Sequence, residues 1–74
     1  MEKLLTILEE IRPDIDFTVQ MKLIDDSMLD SFDIISITSE INDRFDIDIN
    51  VVDLLPENYN SADAMWNLIQ KYLD

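Results

Sequence analysis

Seventy-four residues, 47% of them hydrophobic, are enough for one small domain around one core. The chain has no Cys and no His, which excludes disulfides, thiolate nucleophiles, zinc–thiolate sites and any side chain with an unperturbed pKa near neutrality. Seventeen acidic residues against five basic ones leave a net charge of −12, which disfavours nucleic acid and anionic membranes and favours a basic protein surface as partner.

Leu4, Ile7, Leu8 and Ile11 recur at helical spacing and predict a helix from Glu2 to Ile11. Pro13 ends it, because the residue before a proline is pushed out of the α region. The start, Met1 to Thr6, has no basic segment or cleavage site, and no apolar run is long enough to span a bilayer. The expected location is the cytoplasm, with no membrane insertion.

Residues 13–30 form a long connection. Ile15, Phe17, Leu23, Ile24 and Leu29 supply apolar packing, so the segment is expected to be ordered. A second helix is predicted from Ser31 to Phe45. At about 100° per residue, Ile34, Ile37, Ile41 and Phe45 share a narrow stripe. Asp33, Ser36, Glu40 and Asp43 lie opposite. Phe32 also sits on the polar side, beside Ser31; it either folds onto the long connection or meets a partner.

Residues 46–60 form another connection, with a short helical turn expected around Val51–Leu55, capped by Asn50 and interrupted by Pro56. The last helix is predicted to start at the N-cap Ser61 and to run to about Leu73. Met65, Ile69, Tyr72 and Leu73 make its core stripe, with Trp66 and Leu68 at the edges. No segment reads as a strand, and there are no repeats or linkers. The expected fold is all-α, a small bundle of three longer helices plus one short helix, in one domain spanning residues 1–74. With no Gly in the chain, left-handed turns fall to Asn or Asp, as at Asn58 or Asn60.

Carboxylate pairs at Asp14/Asp16, Asp25/Asp26 and Asp46/Asp48 all lie in solvated loops, which argues against acid–base catalysis. Asp46, Asp48, Asn50 and Glu57 reproduce most of a calcium-loop spacing. The sixth position, which turns sharply and calls for Gly, is the β-branched Val51, and Pro56 precedes the glutamate. No specific metal site is expected. Ile47 and Ile49 are expected to enter the core while Asp46 and Asp48 stay in water. An acidic protein-binding bundle is the other rival, and it makes no demand on any serine.

Ser31 stands in Asp30-Ser31-Phe32-Asp33, at a loop–helix junction between acidic residues. From position alone it reads first as a helix cap and second as a site of modification. The run from Asp26 to Ile35 resembles the acyl carrier protein family. So do the length, the acidity, the loop Lys22–Asp26, Phe45-Asp46-Ile47 and the closing amphipathic helix. The family motif is Asp-Ser-Leu; here Phe32 replaces the leucine. The resemblance implies that Ser31 carries 4′-phosphopantetheine, transferred from coenzyme A by a phosphopantetheinyl transferase. It also implies a monomeric, non-enzymatic carrier of acyl groups, with basic partner enzymes meeting the second helix at Asp30, Phe32, Asp33, Ser36, Glu40 and Asp43. Ser27 falls where many family members have glycine, which implies a turn. Leu29-Asp30-Ser31-Phe32 and Arg44-Phe45-Asp46-Ile47 are also similar to the D-alanyl carrier proteins, which implies an aminoacyl-loading ligase as an alternative partner.

Overall fold

The computed structural model describes residues 1–73. Among them are four α-helices: α1 (Glu2–Ile11), α2 (Ser31–Phe45), α3 (Pro56–Tyr59) and α4 (Ala62–Leu73), with a 3₁₀ turn at Val51–Asp53. The all-α expectation holds, and α1 and α2 occupy the predicted ranges.

Helices α1 and α2 lie antiparallel. Arg12, just past the end of α1, reaches Asp33 in the first turn of α2 at 2.9 Å. At the other end Lys3 Nζ donates to Arg44 O at 2.6 Å and sits 4.9 Å from the centre of the Phe45 ring. Phe45 meets Trp66 of α4 edge to face, with centroids 6.1 Å apart. The apolar stripes converge on one cluster that includes Leu4, Leu8, Ile37, Ile41, Met65 and Ile69. Full burial of each such side chain contributes about 1.5–3 kcal/mol before ordering costs.

The long connection is ordered by its own apolar residues and by Asn60. Ile15, Phe17, Leu23 and Leu29 are buried, and Ile24 packs against them. Leu23 N donates to Asn60 O at 2.8 Å, while Asn60 Oδ1 accepts from Ile24 N and Asp25 N at 2.9 and 3.1 Å. After α2, Asn42 Oδ1 accepts from Ile49 N at 2.9 Å, which seats the buried Ile49 and leaves Asp46 and Asp48 exposed.

Three expectations are corrected. The left-handed residues are Ser27 (φ 60°) and Asp46 (φ 55°), whereas Asn60 is right-handed α. Pro56 does more than interrupt: it starts α3, where its fixed φ suits the first helical position and its missing N–H costs nothing. In α4, Leu68 is in the core and Leu73 is half-exposed. Tyr59 is wholly buried beside Thr38, each hydroxyl satisfying the other at 2.7 Å.

Candidate functional site: the start of helix α2

The first turn of α2 is held by a reciprocal pair of carboxylates. Asp30 is the N-cap, with extended backbone, and its Oδ1 accepts from Asp33 N at 3.0 Å. Asp33 Oδ2 accepts from Asp30 N at 3.2 Å. This capping box satisfies donors that a helix start leaves open. Ser31 is therefore the first helical residue and not the cap, which corrects its first positional reading. Its side chain is exposed and its hydroxyl is not consumed by capping.

Arg12 joins this turn to the loops on either side. Its Nη1 donates to Asp33 Oδ2 at 2.9 Å and to Met28 O at 3.1 Å, and its Nε and Nη2 grip both oxygens of Asp14. The bond to Asp14 leads the causes that raise the guanidinium pKa, with the charges of Asp14 and Asp33 adding to it. The same bond holds the Asp14 carboxyl below its ordinary value. The role of Arg12 was not legible in the sequence because, although Asp14 is two residues away, Met28 and Asp33 lie 16 and 21 positions further on.

The residues expected to meet partners are not equivalent. Asp30 and Asp43 are exposed, and Phe32 is 74% exposed, so it does not fold onto the long connection. Ser36 and Glu40 are half-buried, and Glu40 lies 3.5 Å from Arg44. The Asp33 side chain is only 16% exposed and already paired with Arg12, so it does not offer the free carboxylate expected of it. Ile35, one turn beyond Ser31, was not expected at the surface but is 60% exposed, next to Phe32. Its signal was available: on the helical wheel it falls outside the Ile34–Ile37–Ile41 stripe.

The other serines are placed differently. Ser61 is buried and caps α4, accepting from Ala64 N at 3.0 Å. Ser36 and Ser39 lie inside α2, and Ser27 takes the left-handed turn expected of a position suited to glycine. The calcium-loop residues are otherwise employed: Asp46 is the left-handed C-cap of α2 and Asn50 caps the 3₁₀ turn. Among the described residues no cluster of three or more potential ligands gathers to hold a metal ion, and no helix is long and apolar enough to cross a membrane.

An exposed hydroxyl at the start of a 15-residue helix fits a phosphodiester well, because the negative group would meet the positive end of the helix dipole. A family model described as the phosphopantetheine attachment site matches residues 2–69. Neither the curated proteins nor the solved structures gave a match. Members of the matched family carry covalently attached 4′-phosphopantetheine, are generally non-catalytic, and work with phosphopantetheinyl transferases and partner enzymes. With nearly its whole length matched, the chain belongs to the phosphopantetheine-attachment family of carrier proteins.

Proposed function

We propose that Ser31 is the attachment residue and that the protein carries acyl groups as thioesters, delivering them to enzymes with basic surfaces. In the attachment step Ser31 Oγ would attack the phosphorus of coenzyme A that bears the pantetheine. The Oγ–P bond forms, the P–O bond to adenosine 3′,5′-bisphosphate breaks, and the hydroxyl proton passes to a base on the transferase. The group supplies, once bound, a thiol that this cysteine-free chain lacks. Residues around it bind and orient. Asp30 fixes the helix start, Arg12 holds Asp33, and the exposed carboxylates of Asp25, Asp26 and Asp30 favour approach by a cationic surface. Phe32, Asp30 and Asp43 stay our candidates for partner contact, joined by Ile35, with Ser36 and Glu40 at the margin.

The observation that carries this reading is the exposed, non-capping Ser31 hydroxyl at the start of α2. Intact-mass spectrometry after incubation with coenzyme A and a broad-specificity transferase tests it. One added phosphopantetheine is expected, absent from Ser31→Ala. Addition at another serine, or none, refutes the assignment.

A second reading, a D-alanyl or other aminoacyl carrier of a dedicated pathway, rests on the resemblance of Leu29-Asp30-Ser31-Phe32 and Arg44-Phe45-Asp46-Ile47 to the D-alanyl carrier proteins. Loading assays with a D-alanine ligase and a fatty-acyl ligase separate the two.

A further inference from the structure

We propose that Arg12 is a positioning residue for the modification of Ser31, acting through Asp33. This inference rests on the assignment of Ser31 as the attachment residue. Arg12 Nη1 sits between Met28 O and Asp33 Oδ2, and so ties the last turn of the loop to the first turn of α2. Asp33 Oδ2 is shared: it accepts from Arg12 and, at 3.2 Å, from the backbone N–H of Asp30, the residue immediately before Ser31. Two backbone points around the serine, Met28 O directly and Asp30 N through Asp33, thus depend on one guanidinium.

The requirement follows from charge. A carboxylate that is 16% exposed keeps that place only while it is paired; without a cation it would rotate into water. Rotation removes the acceptor for Asp30 N and half of the capping box. The first turn then frays, and the serine is presented in the geometry a transferase must grasp for a smaller fraction of the time. Affinity falls in proportion to that fraction, while turnover of the bound, ordered form is unchanged. The other partner of Arg12, Asp14, is exposed and orients the guanidinium from outside, so it contributes less. The fork geometry matters: the Nη1 edge serves Asp33 and Met28 while Nε and Nη2 serve Asp14, a span that the single ammonium of lysine cannot reproduce.

The experiment compares Arg12→Met, Arg12→Lys and Asp14→Asn with the parent, each in the full chain. Amide hydrogen exchange of the unmodified proteins is read at Asp33 and Ile34, together with KM and kcat for a phosphopantetheinyl transferase with coenzyme A. For Arg12→Met the expected result is exchange about five- to tenfold faster at those two amides, on the scale of losing a cap. KM should rise about two- to fivefold with kcat unchanged, following the fall in ordered fraction. Arg12→Lys should fall between Met and the parent, and Asp14→Asn should match the parent in KM. Unchanged exchange and KM in Arg12→Met would overturn the proposal. So would a KM defect that vanishes in about 0.5 M salt, since Arg12 would then act by charge alone. If Arg12→Met does not fold, Arg12→Lys carries the same comparison. The exchange measurement needs no modification, so failure of the Ser31 assignment, seen by mass, is distinguished from failure of the Arg12 role.

Discussion

The buried pair Thr38–Tyr59 lends itself to a double-mutant cycle. Tyr59 is wholly buried and Thr38 is 7% exposed, and their hydroxyls lie 2.7 Å apart. Removing one hydroxyl strands the other in an apolar interior, which costs about 1–3 kcal/mol, whereas removing both with shape preserved is nearly neutral. The two single variants are not symmetric. In Tyr59→Phe the Thr38 hydroxyl can turn to the carbonyl one helical turn earlier, so the expected loss is about 1 kcal/mol. In Thr38→Val the phenol at the end of its rigid ring has no such alternative, and the expected loss is about 2 kcal/mol. The double variant should lose no more than about 1 kcal/mol, giving a coupling energy of about 2 kcal/mol. Urea unfolding followed by circular dichroism and by Trp66 fluorescence measures this; each kcal/mol also shifts Tm by about 4–8 °C in a domain this size. If the two losses simply add, the hydroxyls do not depend on each other and the account of this contact is wrong.

Three further predictions concern other parts of the molecule. Ser27→Gly should gain about 0.5–1 kcal/mol, because φ of 60° strains a residue with a Cβ by more than glycine loses in chain entropy; a thermal melt beside Ser27→Ala, which should show no gain, checks it. Asp30→Ala should lose about 1 kcal/mol with accelerated exchange confined to the first turn of α2, and loss spread over all helices would contradict the capping role. Burial is the main cause that raises the Tyr59 pKa, so the neutral phenol is favoured in the folded state. That contribution is intact below the ordinary pKa of 10.0 and is lost as pH rises through the folded-state value; urea unfolding followed by circular dichroism across alkaline pH should show stability falling less steeply with pH in Tyr59→Phe than in the parent.

The helices were legible because their apolar periodicity is strong and their ends carry local signals. Pro13 stops α1, Ser61 caps α4, and the Ile34–Ile37–Ile41 stripe needs no tertiary information. The site was legible to one residue: Ser31 stands at the start of α2, but the cap is Asp30. Two adjacent polar residues both suit a cap, and only the reciprocal bond with Asp33 decides between them. Tyr59 could not be placed in the core from a short, polar stretch such as Pro56–Tyr59, since its partner lies on another helix. Asp33 looked like a free acid because Arg12, 21 positions away, is invisible to helical spacing. Leu73 misled for the opposite reason: it continues the apolar pattern of α4 yet is 48% exposed, while its neighbour Tyr72 packs against the core.

The grip of Asn60 on Leu23, Ile24 and Asp25 divides the long connection into two stretches with different rules for change. Upstream, Thr18 and Val19 are exposed just past the buried anchor Phe17, so a peptide tag or fluorophore graft between them lengthens an already closed loop at little entropic cost. Downstream, from Leu23 to Asp30, the residue count is a ruler. One residue added or deleted there would shift the point at which Ser31 emerges relative to the bundle, while every helix kept its own sequence.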